Sequence, residues 1–306
     1  MKVVWGFIKE AFEDWSEDRA SRLAAALAYY TIFSLAPLLI IAIAIAGLAF
    51  GREATQGQIV NQISGLIGAE GAEGIETLIE SASKPSSGVI ATAFGIIVLL
   101  IGASGFFGQL QDGLNTIWEV KPRPGRGILG IIKDRFLSFT MVLGVGFLLL
   151  VSLVISAGVV ALGEFLGTFM PGTVIVGYIL NVIISLLVTT LLFATIFKIL
   201  PDVKISWKDV WIGAAATAFL FTVGKLLLGL YLAKANIASA YGAAGSLVVI
   251  LVWVYYSAMI LFLGAEFTQV YANRYGSRIV PARDAVQVTE EARAQQGMPR
   301  EKPSLG

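Results

Sequence analysis

The sequence predicts an all-α, polytopic membrane protein with six transmembrane helices and both termini in the cytoplasm. Three observations carry that prediction. The 306 residues are 57% hydrophobic and only 14% charged, with a mean hydropathy of +0.80, whereas soluble domains carry about 25% charged residues. Six apolar segments each approach or exceed the ~20 residues a helix needs to cross ~30 Å of hydrocarbon. The cations between those segments are placed unevenly, eighteen of 22 on one side and three on the other. The positive-inside rule assigns the richer side to the cytoplasm.

Residues 1–22 place Val4, Phe7, Ile8, Phe12 and Trp15 at helical spacing among Lys2, Lys9, Glu10, Glu13 and Asp14. This pattern reads as an amphipathic helix lying on the cytoplasmic interface. It is no signal peptide, because Lys9 and Glu10 interrupt its apolar part and no small-residue cleavage site follows. The transmembrane domain is expected over residues 23–272, with spans at 23–50, 89–107, 136–162, 174–197, 210–232 and 247–269.

The external connection 51–88 is acidic, with Glu53, Glu70, Glu73, Glu76 and Glu80. Two apolar-periodic runs, Ile59-Ile63-Leu66-Ile67 and Ile75-Leu78-Ile79, flank the sequence GAEGAEG. They read as two amphipathic helices on the outer face, serving either as a cover or as a lid over the bundle mouth. Beyond Arg274 the composition turns polar, with prolines at 281, 299 and 303. Residues 273–306 therefore read as a disordered cytoplasmic tail.

Cysteine and histidine are both absent. That excludes disulfides, thiolate nucleophiles, Cys/His zinc sites and imidazole acid–base chemistry. No metal or cofactor is expected. A net charge of +1 supplies no field for nucleic acid. A G-x-G-x-x-G match at 125–130 lies between two membrane helices without the βαβ unit a dinucleotide site requires, and no P-loop is present. Ser81-x-x-Lys84 lacks the companion motifs of a Ser–Lys nucleophile.

The last span organises the chain. Residues 247–263 carry no charge and the segment then meets Glu266, on a face shared with Tyr255, Met259, Phe262 and Gln269. Glu266 reads either as a boundary carboxylate near a headgroup-level cation or as the mouth of a polar path between helices. Lys225 is the deepest charge, ~12 Å from the outer end of the fifth span by helical rise. Its face carries Ala214, Ala218 and Gly229, small residues that line helix interfaces. Asn181 stands at matching depth on the fourth span. Together they suggest a site for an anionic group, unless Lys225 snorkels outward.

In the first span Tyr30, Ser34 and Pro37 share a face, and Pro37 leaves the Phe33 carbonyl without its helical donor, so a kink is expected there. Gln109, Asp112 and Asn115 form a polar stripe where the second span leaves the lipid. Gly102, Gly105 and Gly108 look like a close-packing surface.

Several stretches resemble the YihY/BrkB family of bacterial inner-membrane proteins. They are AALAYYTIFSLAPLL at 25–39, GLNTIW at 113–118, Leu200-Pro201 with Trp207 and Gly213-Ala214, and the run 241–266 with YGAAGS and GAE. The resemblance covers residues 20–273. It implies six spans in the cytoplasmic membrane and an envelope-related role. The family's names refer to serum resistance and virulence, and a ribonuclease BN label was once attached. Matching positions make Tyr30, Ser34, Pro37, Asn115, Trp118, Pro201, Tyr241, Gly242 and Glu266 its motif residues here. Lys225 and Asn181 stand outside that pattern.

The expected function is a non-ATP-driven transporter, or a protein translocating lipid or anion, with an envelope-related role. Its candidate ligand residues are Lys225, Asn181, Tyr30, Ser34 and Pro37, and its candidate proton or cation carriers are Glu266 and Asp112. The alternative is a non-transporting protein of envelope integrity that binds lipids or partners. An enzyme, ribonuclease included, is not expected, since RNA cleavage calls for metal-binding acids or His pairs. Membrane lipids are the expected partners, with an anionic small molecule or headgroup besides, and a homo-oligomer is compatible with the sequence.

Overall fold

The computed structural model describes residues 2–82, 89–125, 140, 144, 173–235, 241 and 244–298. The expected third span, 136–162, lies outside the described residues apart from Thr140 and Gly144, and Gly242 lies outside them as well. The described elements are α1 (Lys2–Glu17), α2 (Ala20–Phe50), α3 (Arg52–Ala82), α4 (Val89–Ile117), β1 (Val120–Pro122) and α5 (Thr173–Ile199). They continue with β2 (Val203–Lys204), α6 (Trp207–Ala235), α7 (Gly245–Arg274), β3 (Val280–Pro281), β4 (Ala285–Gln287) and α8 (Glu290–Gln295). Among the described residues, four stretches are long and apolar enough to cross a membrane: Ala20–Ala44, Ile179–Ile199, Trp207–Leu232 and Gly245–Arg274.

Helix α7 is the hub, packing against α1, α2, α3, α4 and α6. Its buried residues include Gly245, Ala258, Gly264, Ala265 and Ala272. Without bulky side chains at those positions, neighbouring backbones approach closely, and dispersion replaces the hydrophobic effect that lipid does not supply. The main apolar core joins Phe262 and Ala265 of α7 to Leu110, Leu114 and Ile117 of α4, Phe193 and Phe197 of α5, and Val210, Ala214 and Ala218 of α6. Helix α4 runs on to Ile117, ten residues past the expected end of its apolar segment.

Helix α1 packs onto the end of α7 rather than standing alone. Phe7 meets Phe267 edge-on at 4.6 Å, and Phe7, Ala11 and Val270 form a small core. Glu10 pairs with Arg274, and Trp15 Nε1 donates to the Met259 carbonyl at 3.3 Å. Trp5, Ile8 and Phe12 remain exposed. In α3 the helix breaks at Gly68 (φ 83°, ψ 171°), the first glycine of GAEGAEG, and resumes immediately. Its second half buries Ile75 and Ile79 with Ile43, Val249 and Ile250. Gly74 lets it come close to α7, where a Cβ would lie 2.6 Å from Ser246 Cβ.

The expectation of a disordered tail over 273–306 does not hold for residues 275–298, and 299–306 lie outside the described residues. Residues 275–298 return across the end of the bundle where α1 also lies, hereafter the terminal end. β3 pairs antiparallel with β2 (Val203↔Pro281), and β4 pairs antiparallel with β1 (Val120↔Gln287). Further bonds run from Ala282 N to the Asp202 carbonyl (2.8 Å), from Arg123 N to Asp284 (2.9 Å) and from Val288 N to Glu119 (2.7 Å). Thr289 caps α8 by accepting from Ala292 N at 3.3 Å. Composition suggested disorder because the tail is polar. Its backbone groups are satisfied instead by strand edges that the α4–β1 and α5–α6 connections present.

Candidate functional site

The sequence-predicted residues separate into two levels. At mid-helix, the face of Tyr30, Ser34 and Pro37 is turned onto α4. Ser34 Oγ donates to the Gly102 carbonyl at 2.6 Å, and a Cβ on Gly102 would lie 3.0 Å from Pro37 Cγ. On Gly105 it would lie 3.4 Å from Ser34 Oγ and 3.5 Å from Tyr30 Cδ1. Helical backbone runs through Pro37 in α2. Thus the glycine surface and the polar face expected separately are two sides of one contact. Ser34 is occupied by that contact, while Tyr30 keeps an exposed edge.

Asn181 of α5 and Lys225 of α6 are both half-buried. The two helices pack on each other. Counting back from Ile199 and forward from Trp207, each residue lies eighteen positions from the terminal end of its helix, or ~27 Å by helical rise. Asn181 Oδ1 is buried without a hydrogen-bond partner among the described residues. Among those residues Lys225 likewise has no ion-pair partner.

The second level is the terminal end. Asn115 and Asp202 clasp each other there. Asn115 Nδ2 donates to Asp202 Oδ2 at 3.1 Å, Asp202 N donates to Asn115 Oδ1 at 2.8 Å, and Gln111 Nε2 reaches Asp202 Oδ1 at 3.4 Å. Pro201 is buried beside them. Trp118, buried against Phe197, donates from Nε1 to the Ala265 carbonyl at 3.4 Å. Gln269 Nε2 donates to the Ile117 carbonyl at 2.7 Å, satisfying one of the carbonyls left over at the end of α4. Glu266 is 0% exposed, enclosed by the packing around α7. Tyr241 is exposed.

Beside this clasp a cavity of ≈ 260 Å³ opens to the surface. Gln109, Asp112 and Asn115 of α4 form one wall, Lys121 of β1 another, and Arg293 and Gln296 of the tail a third. Arg293 is itself buried (3% exposed). It pairs with Asp18 in the α1–α2 turn, and its Nη1 stands 3.3 Å from Glu119 Oε1. Two carboxylates around one guanidinium repay the desolvation a lone buried cation would cost.

A family model described as "Virulence factor BrkB" matches residues 11–289, nearly the whole chain. The chain belongs to the BrkB family. Relatives in the family include a UPF0761 membrane protein of Rhodospirillum centenum, 28% identical over 86% of this chain and 56% of that one. Another, from Teredinibacter turnerae, is 27% identical over 94% of this chain and 65% of its own length. A third, from Aeromonas salmonicida, is 26% identical with coverages of 86% and 87%. The chain thus spans a little over half to two thirds of the first two relatives. No solved structure matches. This BrkB family member is a membrane protein, and its family match takes in most of the terminal-end cluster, from Asp18 through Asn115 and Asp202 to Val288.

Sequence reasoning had singled out Asn115, Trp118 and Pro201 of that cluster, but not Asp202, Gln111, Asp18, Glu119 or Arg293. Gln111 and Asn115 are four apart on one helical face, a local signal. Nothing local pairs Asn115 with a carboxylate 87 residues away, or Asp18 with a guanidinium 275 residues away.

Proposed function

We propose that this BrkB family protein is a non-ATP-driven translocator of an anionic small molecule or lipid headgroup in the bacterial cytoplasmic membrane, with an envelope-related role. One observation supports it above others: Asn181 and Lys225 stand at a common height on packed neighbouring helices, ~27 Å from the terminal end. A cation at such depth costs at least ~2.5 kcal/mol on insertion scales, and intramembrane charges mark substrate or ion pathways. An ammonium and an amide at one level offer donors to a phosphate or carboxylate oxygen. The reading places the 51–88 connection outside and both termini inside, following the cation count. The exposed Trp5, Ile8 and Phe12 of α1 would then rest in the headgroup layer. Ion coupling, where present, falls to Asp112, which borders the cavity, rather than to the enclosed Glu266. The ligand is passed and not chemically altered.

A second reading, a non-transporting lipid- or partner-binding protein, is favoured by the closed contact of Tyr30, Ser34 and Pro37 with Gly102 and Gly105. Reconstitution separates the two. Proteoliposomes should support phosphate efflux or movement of a fluorescent phospholipid between leaflets. Lys225→Gln and Asn181→Ala should lower that rate at least tenfold while leaving the melting temperature unchanged. Inactive wild-type protein would establish the second reading over the first, and full activity in both variants would overturn the assignment of the ligand site to Lys225 and Asn181.

A further inference from the structure

The translocation reading gives the 51–88 connection a side of the membrane but no task. We propose that residues 52–67, the first half of α3, are a gate that turns on Gly51 and Gly68 and covers the far end of the route to Lys225 and Asn181. The route rests on the translocation reading, whereas the hinge stands on the geometry of α3 alone.

The segment has a glycine hinge at each end. Gly51 (φ 83°, ψ 142°) and Gly68 (φ 83°, ψ 171°) both lie at positive φ, where a residue with a side chain is strained. A Cβ added at either would meet nothing within 4 Å. Neither glycine serves close packing, unlike Gly74 of the same helix, and what both supply is backbone freedom. The hydrogen bonds at Gly51 divide at that residue. Its N–H donates to the Gly47 carbonyl at 3.0 Å within α2, while its own carbonyl accepts from Thr55 N at 3.1 Å and from Thr55 Oγ1 at 2.8 Å. Rotation about the φ and ψ of Gly51 leaves all three intact.

The two halves of α3 are held unequally. Beyond Gly68, Ala72, Ile75 and Ile79 are buried, and Gly74 brings the backbone onto Ser246. Before it, Thr55 is buried, but Ile59 and Ile63 are only half-buried and Gln58 and Asn61 are exposed. Less apolar surface holds the first half down, so it opens at a lower free energy than the second. Its docking site adjoins the route. Ile59 and Ile63 pack on the cluster of Ile43, Ile79 and Val249, which Leu232 and Trp253 also meet. Leu232 is seven residues past Lys225 on α6, ~10 Å further from the terminal end. Trp253 meets Phe221, one turn from Lys225, with 6.3 Å between ring centroids. Lifting 52–67 uncovers part of the cluster that stands beyond Lys225 on that side.

The test uses the full-length protein in nanodiscs, where both faces are open to reagent and topology does not enter. Amides of 52–67 should exchange with deuterium as one unit, at least tenfold faster than those of 69–82. Single cysteines in this cysteine-free chain give a second measure. Thr55→Cys should react with a maleimide at no more than a tenth the rate of the exposed Glu76→Cys, yet at least tenfold faster than Ile79→Cys. Gly68→Ala strains the closed backbone, so it should raise the Thr55→Cys rate at least fivefold and leave Ile79→Cys protected. A small anionic methanethiosulfonate should likewise reach Lys225→Cys at least fivefold faster in the Gly68→Ala background. Uniform exchange along α3, or a Gly68→Ala effect shared by Ile79→Cys, overturns the hinge. Faster labelling of Thr55→Cys with no gain at Lys225→Cys overturns the gate. Labelling as expected in a protein that passes neither phosphate nor lipid supports the gate and removes only the translocation reading.

Discussion

Thr268 of α7 occupies the space that a side chain on Gly213 of α6 would need: a Cβ there would lie 1.9 Å from Thr268 Oγ1. One turn deeper the roles exchange, and a Cβ on Gly264 of α7 would lie 2.0 Å from Thr217 Oγ1 of α6. Each threonine donates at 2.7 Å to the carbonyl of the glycine four residues before it on its own helix. Two Gly-x-x-x-Thr runs thus pack antiparallel and reciprocally. Both hydroxyls are satisfied within their own helix, and each methyl is pressed toward the opposite backbone.

Gly213→Ala should therefore destabilise the protein by about 1–3 kcal/mol or more through overpacking. Thr268→Ala should cost less, and the double variant should recover part of the loss, because the smaller residue vacates the space the new methyl needs. Melting in detergent, followed as a double-mutant cycle, measures the coupling. Additive losses would contradict the contact.

Arg293 decides whether the tail stays docked. Arg293→Ala leaves Asp18 buried beside a missing partner, and breaking a buried pair costs about 3–5 kcal/mol. The expected readout is faster amide exchange and protease cleavage over residues 275–298, with the α2–α7 core still protected. Arg293→Met combined with Asp18→Leu should cost less than Arg293→Ala, since the fully buried carboxylate is removed with its partner and only the less buried Glu119 loses the guanidinium.

Asn115→Ala removes both side-chain hydrogen bonds that Asn115 makes with Asp202, one donated and one accepted. The expected cost is about 1–3 kcal/mol, the range for leaving a buried polar group without its partner. Asn115→Asp should be worse than Ala, because it places a second carboxylate against Asp202. A fall in melting temperature in the order wild type, Ala, Asp checks this.

The topology is testable without background, because the chain contains no cysteine. Glu76 and Asn273 are both exposed, at opposite ends of the described bundle. In intact cells whose outer membrane has been permeabilised, a membrane-impermeant maleimide should label Glu76→Cys and spare Asn273→Cys until the inner membrane is broken. The reverse pattern would invert every depth assigned to Lys225 and Asn181.

Much of the helical layout could be read from apolar run length. The segments expected at 23–50, 89–107, 174–197, 210–232 and 247–269 lie within α2, α4, α5, α6 and α7, because a backbone in lipid must satisfy its own hydrogen bonds and only length and apolarity are required of it. The site was legible only in pieces. Asn115, Trp118 and Pro201 stood out by resemblance to a family, while their partners Asp202, Ala265 and the tail did not. Glu266 divides the same way: its position along α7 is evident from the sequence, but that its face is enclosed by protein depends on helices elsewhere in the chain.

The sequence by itself determined that this protein is built of long apolar helices, where most of them begin and end, and that its chemistry must do without thiols and imidazoles. Those properties are local, or follow from composition. Only the tertiary structure decided that the polar tail is ordered, that Arg293 is buried between Asp18 and Glu119, and that Ser34 is spent on Gly102 while Asp112 and Lys121 share a cavity. Each of these joins residues far apart in the chain. Whether a polar side chain is solvated, paired or free for a ligand is set by what packs against it, and hydrophobic periodicity carries no record of its distant neighbours.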